Sequence, residues 1–343
     1  MERPATRDVR DHLLREVFWR APSPVKSTAA RFGISRQAAQ RHARQLVAQG
    51  VLQASGTARW MRYRLARAAI AASAFQIAQA LTEDRVWSEF FRDRVESLGA
   101  DERDILAYGI TEMANNVIDH AAASTLKVNF WRSPISLTVR IEDDGVGIFQ
   151  KIASALQLSD PRQSLLELGK GKFTTDPARH TGEGVFFTSR AFDRFSLRSG
   201  NLLFSRTARS DDWLVESENI EFSGTRVTMS LLLPAERRLE EVFAQYSSGP
   251  EDYRFAKTHV PLKLARFGDE TLLSRSSARR VLARADRFSE VLLDFKAVDS
   301  IGPAFADEIF RVFATQHPEV ELITVNANAQ VTAMIRRAQA SSK

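Results

Sequence analysis

The sequence predicts a multidomain α/β protein built of three units in a row, and three observations carry that expectation. The chain has 343 residues, and at about 100–200 residues per domain this makes two or three domains. Its formal charge of +6 is unevenly spread: the first 70 residues hold 14 Lys and Arg against 4 Asp and Glu, and the rest hold 34 against 38. Helical periodicity dominates the basic front end, whereas strand and helix patterns alternate beyond it. The 44% hydrophobic share suits a globular chain. The absence of cysteine excludes disulfides, thiolate-held zinc or iron–sulfur clusters and thiol catalysis. No apolar run approaches the roughly 18–20 residues that span a bilayer, and the charged N-terminus has no apolar core of a secretory signal. The expectation is a cytoplasmic protein with no membrane partner.

Residues 1–67 form the first unit. Asp8–Trp19 carries Val9, Leu13, Leu14, Val17 and Phe18 at helical spacing, and Pro22 and Pro24 end it. Lys26–Phe32 makes a second short helix, Gly33 a tight turn, and Ser35 an N-cap. The third helix, Ser35–Gln49, buries Ala38, Ala39, His42, Leu46 and Val47 and turns Arg36, Gln37, Gln40, Arg41 and Arg44 the other way. Gly50 closes it. Val51–Leu65 then reads as two strands around Ser55-Gly56-Thr57, with Arg59, Arg62 and Arg64. Helix, turn, basic helix and basic hairpin resemble the winged helix-turn-helix domain of bacterial regulators. The resemblance implies a DNA partner, with Arg36, Gln37, Gln40 and Arg41 near base edges and the hairpin arginines on phosphates. A solvated basic face, or a winged helix used for protein contacts, is the alternative.

The alanine-rich stretch Ala68–Ala80 is expected to be helical, making residues 68–81 a connector. Residues 82–236 form a mixed α/β unit with four chemistry-bearing segments. In Ile110–His120, helical spacing aligns Glu112, Asn116 and His120, with Asn115 and Asp119 in a neighbouring row. In Leu137–Ile148, an alternating strand ends in Asp143, Gly145 and Gly147, where glycine admits positive φ and a close ligand. In Thr181–Phe187, Gly182 and Gly184 open a helix whose N-terminal N–H groups suit phosphate. In Ser223–Leu231, Thr225 heads a last strand. The order Glu-x-x-x-Asn, Asp-x-Gly-x-Gly, Gly-x-Gly, Gly-Thr is similar to that of the GHKL ATPase family, over about 150 residues. No Gly-x-x-x-x-Gly-Lys-Ser/Thr run offers a P-loop instead.

That resemblance implies an α/β-sandwich of the Bergerat type with ATP and Mg²⁺ as cofactors. It implies Asn116 as the Mg²⁺ ligand, Glu112 as general base and Asp143 as reader of the adenine amino group. Gly145 and Gly147 give the base room, Thr181, Gly182 and Gly184 lie against the phosphates, and Thr225 supports the adenine end. It also places an ATP lid in Phe149–His180, where Lys170 and Lys172, with Thr174 or Thr175, would meet the phosphates on closure. None of the six histidines carries the pattern of a histidine-kinase phosphoacceptor.

Gly249-Pro250 marks a boundary, and residues 250–343 form a small α/β unit. Its strands are expected at His259–Phe267, Val291–Phe295 and Glu321–Val325, its helices at Ser274–Ala285, Pro303–Phe313 and Ala329–Ala338. Val291–Val298 followed by Asp299–Phe310 resembles a STAS domain, although Ala304 stands where anti-sigma-factor antagonists of that family carry a phosphorylated serine. Asp307 and Glu308 read as a solvated helix face, and the unit as a docking module. The chain as a whole reads as an ATP-responsive DNA-binding regulator. The alternatives are an anti-sigma-type serine/threonine kinase acting on a STAS partner, and a nucleotide-dependent assembly module able to form a homodimer.

Overall fold

Three helices at the front, α1 (Thr6–Phe18), α2 (Pro24–Phe32) and α3 (Arg36–Ala48), bury Leu13, Leu14, Val17, Val25, Ala39, Ala43 and Leu46 in a small core of their own. Gly33 takes the left-handed conformation between α2 and α3, and Ser35 Oγ accepts from the Ala38 N–H at 3.1 Å. A two-stranded antiparallel hairpin, β1 (Leu52–Ser55) and β2 (Arg62–Leu65), closes the unit. The computed structural model describes residues 5–57, 60–78, 80–174, 181–216, 222–249, 252–265 and 272–340. Arg59 and Thr175 lie outside the described residues.

The expected helical connector is instead a strand. β3 (Ala68–Gln76) is an edge of a seven-stranded sheet and pairs antiparallel with β4 (Thr125–Ser133), from Ala68 opposite Arg132 to Gln76 opposite Thr125. Alanine favours helix, but propensity is a weak prior that tertiary pairing overrides. Here the strand satisfies the open edge of β4, and Ala71 and Phe75 reach the core. The helical region follows: α4 (Glu83–Val86) runs through a wider π-type turn, Trp87–Phe91, into α5 (Arg92–Val95). Next come α6 (Ala100–Asn115), β5 (Ser136–Asp143), α7 (Ile148–Ala155), α8 (Ser164–Lys170), α9 (Gly184–Ala191), β6 (Arg194–Gly200), β7 (Leu202–Thr207), β8 (Ser210–Glu216) and β9 (Phe222–Leu232). The strand order is β3-β4-β5-β9-β6-β7-β8, all neighbours antiparallel.

The two faces of this sheet differ because strand side chains alternate. Val139, Ile141, Val227, Met229, Phe195 and Leu197 join the core with Ile105, Leu106, Ile110 and Met113 of α6. The opposite face presents Thr138, Arg140, Thr228, Ser230, Arg194 and Ser196, and the N-terminal unit sits on that side. Ile135 packs into the N-terminal core, Arg194 Nη1 donates to the Phe18 carbonyl at 3.0 Å, and Arg15 pairs with Glu236.

After α10 (Leu239–Ala244), the hairpin β10 (Ser247–Gly249) and β11 (Asp252–Phe255) brackets the expected boundary at 249–250. No separation into independent cores exists there. Leu166, Phe186, Phe187 and Val242 share one core with Phe255, Leu262, Leu293 and Phe305. The C-terminal unit has a parallel sheet of β12 (Lys257–Pro261), β13 (Glu290–Asp294) and β14 (Glu321–Val325), with α11 (Arg275–Leu282), α12 (Pro303–Asp307), a π-type turn Glu308–Phe313, α13 (Ala314–Gln316) and α14 (Ala329–Ala340). The first strand is shorter than expected and gives way to a 3₁₀ turn at Leu262–Ala265. Glu308 is not solvated: it is buried and paired with Arg279 at 2.7 Å.

The two lysines expected on the phosphates are used here. Lys170 is 1% exposed, and its Nζ donates to Glu167 Oε1 (2.6 Å) and to the carbonyls of Ala283 (2.8 Å) and Arg280 (3.1 Å). Arg284 completes the cluster on Glu167 Oε2 at 2.9 Å. Lys172 Nζ donates to the Arg287 carbonyl at 2.7 Å and lies 4.5 Å from the centre of the Phe288 ring. A buried cation must find acceptors, and the C-terminal unit supplies them. Lys170→Ala is therefore expected to cost about 3–5 kcal/mol by leaving Glu167 with half its partners. Lys172→Ala should cost about 1 kcal/mol. Urea unfolding of the two variants measures both.

Candidate nucleotide site and candidate nucleic-acid face

A cavity of about 320 Å³ opens between α6, α7, the segment after α8, and the start of α9. This is within the roughly 300–1,000 Å³ range of small-molecule sites. α6 turns Ile110, Met113 and Ala114 to the sheet and Glu112 to the cavity. It ends in a π-type turn, Asn116–His120, and Asn115, Asn116 and His120 all line the wall. One amide atom of Asn116, Nδ2, is buried without a partner.

Asp143 closes the far end. It is 7% exposed, and its Oδ1 accepts from the N–H groups of Gly145 (2.9 Å) and Thr225 (3.1 Å). Burial raises its pKa, and those two hydrogen bonds oppose the rise. The neighbouring Asp144 faces water and accepts from Ser124 and Thr125, which holds it at about 2. Gly147 takes φ 82° and enters α7, where a Cβ would collide with the Ser199 hydroxyl. Thr225 Oγ1 accepts from the Ile148 N–H at 3.0 Å, fixing the first turn of α7 to β9.

Thr181, Gly182 and Gly184 lie on the remaining wall, where a Cβ on Gly184 would collide with the Glu112 carboxylate. Glu112 is pushed up to about 7, first by burial and then by the charges of Glu183 and Glu83. Glu183 is raised as well, by burial, against the opposing charge of Lys172.

The structure thus brings together Glu112, Asn116, Asp143, Gly147, Thr181, Gly182, Gly184 and Thr225, residues spread over 114 positions of sequence. Gly145 stays off the wall and packs on the Ala121 carbonyl, donating its N–H to Asp143. Lys170 and Lys172 do not line the cavity; Thr174 does. Three further wall residues escaped the sequence analysis. Lys151 lies on α7, with its Nζ on the His120 carbonyl and its pKa lowered by burial. Its only signal was a position four residues after Gly147. Glu183 sat between two glycines that drew attention away from it, and Phe173 had no signal.

On the N-terminal unit, Arg36, Gln37, Arg41 and Arg44 are exposed on α3, and Arg62 and Arg64 on β2. Gln40 is half-buried and donates to the Tyr63 hydroxyl at 2.6 Å, which ties α3 to the hairpin. Trp60, between β1 and β2, is 72% exposed.

A family model for a STAS-like domain of unknown function (DUF4325) matches residues 277–332, from α11 into α14. The C-terminal unit is STAS-like, and Ala304 in the first turn of its α12 has no hydroxyl to modify. The chain has no significant match among curated proteins. No described helix is long and apolar enough to cross a membrane.

The raised pKa of Glu112 gives a pH signature. The folded chain binds this proton more tightly than the unfolded chain, so the contribution is complete below about 4.5 and is lost as pH rises through about 7. Relative to Glu112→Gln, the wild-type chain should lose on the order of 2 kcal/mol of stability between pH 5 and 8. Thermal or urea unfolding at several pH values gives the difference, and parallel curves would contradict a buried Glu112.

Proposed function

We propose that this protein is a nucleotide-responsive, DNA-binding regulator: a winged helix-turn-helix, then a GHKL-type ATP-binding domain of the Bergerat fold, then the STAS-like unit. The observation that carries the reading is the meeting of Glu112, Asn116, Asp143 and Thr225 with the Thr181–Gly184 turn around one cavity.

Each residue has a chemical part in it. Asp143, held by the Gly145 and Thr225 N–H groups, is the carboxylate on the cavity wall that can accept from an adenine amino group. Gly147, at φ 82° and packed against Ser199, lets the chain turn tightly into α7 beside the base. The Gly182–Gly184 turn presents backbone N–H groups to phosphate oxygens, and Lys151 of α7 lines the same cavity. Asn116 fits a Mg²⁺ role. Its side-chain amide has an orphaned buried atom, and a half-turn of that amide puts the oxygen in its place. No described cluster of three or more His, Cys, Asp or Glu could hold a metal alone, and Mg²⁺ is commonly held by few protein ligands plus phosphates and water. Bound there, the ion would neutralise phosphate charge.

A route from the cavity to the DNA-binding face follows the chain. The Gly182–Gly184 turn opens α9, α9 leads into Arg194, and Arg194 holds the end of α1 through the Phe18 carbonyl. Nucleotide changes DNA affinity to the extent that it favours one placement of this path over another.

Phosphotransfer to a serine or threonine of a STAS partner is the second reading. The Glu112 pKa of about 7 favours it, since a general base works best near the ambient pH. Transfer of radiolabelled γ-phosphate to such a partner is its test.

For the main reading, Asp143→Ala should weaken ATP binding by about 10–100-fold, the worth of a hydrogen bond to a charged group. Titration calorimetry measures it, and unchanged affinity would overturn the site. DNA affinity should differ with and without Mg-ATP in the wild type and not in Asn116→Ala. Arg36→Ala with Arg41→Ala should lower DNA affinity and its salt dependence while ATP binding persists.

A further inference from the structure

The polar face of the large sheet carries a second cavity, about 190 Å³, under the end of α1. Four arginines converge on it: Arg20 just beyond α1, Arg67 between β2 and β3, Arg140 on β5 and Arg194 on β6. Strand register builds the floor. Arg140 is opposite Thr228, Thr228 opposite Ser196 and Ser196 opposite Ser205, while Arg194 is opposite Ser230 in the next row. The cavity is therefore lined by guanidinium groups above a row of hydroxyls, and no carboxylate is in its lining.

The arginines are poorly compensated. Among the described residues, nothing hydrogen-bonds or ion-pairs with the Arg20 and Arg67 guanidinium groups. Arg194 has the Phe18 carbonyl. Arg140 has Glu142 at 3.5 Å, a carboxylate it shares with Arg226, and its own Nε is buried without a partner. Burial, and then the charges of Arg20 and Arg67, pull Arg194 down to about 9. Arg67 is lowered by burial and by Arg20, Arg140 and Arg64. Four like charges held together with so little counter-charge repel one another. Planar guanidinium forks match the oxygens of carboxylates and phosphates, and four of them in one cavity favour the more highly charged, multivalent phosphate anion. The volume, about 190 Å³, is below the usual range for drug-sized ligands and suits one or two phosphoryl groups.

We propose that this cavity binds a small multivalent phosphate anion of the pyrophosphate type. Arg20 and Arg67 belong to the N-terminal unit and its link, Arg140 and Arg194 to the sheet. An anion bridging them clamps the basic unit onto the sheet face, at a site separate from the nucleotide cavity.

Calorimetric titration of the full chain with inorganic pyrophosphate tests this. One equivalent should bind in the wild type and equally in Asn116→Ala, whose change lies in the other cavity. Arg20→Gln with Arg67→Gln should weaken binding about tenfold or more, with an unchanged urea unfolding midpoint confirming that the variant is folded. Exchange of the amides just after α1 should slow when pyrophosphate is present. Loss of binding in Asn116→Ala would place the anion in the nucleotide cavity and overturn the proposal. So would unchanged binding in the double arginine variant. If that variant loses duplex-DNA binding while pyrophosphate never bound, the arginines hold backbone phosphates and the small-anion site does not exist.

Discussion

The architecture depends on the first turn of the short helix α9 being shared between two units. Its first residues form a wall of the cavity lined by Glu112, Asn116 and Asp143, and two residues later Phe186 and Phe187 are buried among the aromatic rings of the C-terminal side. Phe186 lies 4.5 Å from Phe255 and 4.9 Å from Tyr246, and Phe187 lies 4.8 Å from Phe243, centre to centre. Well-packed aromatic clusters leave little room for independent movement. The segment before α9 is bound to the same unit through Lys170 and Lys172. Neither the cavity wall nor the STAS-like unit can shift without the other.

This sharing explains what the sequence disclosed and what it withheld. The cavity residues were legible because each combines a polar or glycine residue with a periodicity that fixes its face: Glu112 and Asn116 one helical turn apart, Asp143 at the end of an alternating strand. The three N-terminal helices were legible for the same reason, with proline, glycine and serine punctuation at their ends. Lys170 was misplaced because a lysine in a glycine-rich segment looks solvated, and its acceptors, the carbonyls of Arg280 and Ala283, lie more than 100 residues away. The alanines of β3 were misread because their state is decided by β4, a partner about 55 residues away. Local propensity contains no record of either.

Charge is distributed with similar economy. The front of the chain is basic, yet not all of that charge faces outward. Arg36, Arg41 and Arg44 are exposed on α3, while Arg20 and Arg67 turn toward the sheet and meet Arg140 and Arg194. Acidic groups are handled in contrasting ways. Asp144 is stabilised as an anion by donors at the mouth of β4, whereas Glu112 is kept near neutrality by burial and a second carboxylate. Burial separates a permanent charge from one that titrates near pH 7.

The strand β3 begins three positions after β2 ends, leaving only Ala66 and Arg67 between the hairpin and the seven-stranded sheet. Two residues reach at most about 7 Å. The basic unit therefore hangs on a link with almost no slack, and it explores a small volume and few orientations. Contact with a long polyanion would cost little ordering of the link. The orientation of the unit is inherited from the sheet, much as a tool inherits its angle from a rigid handle.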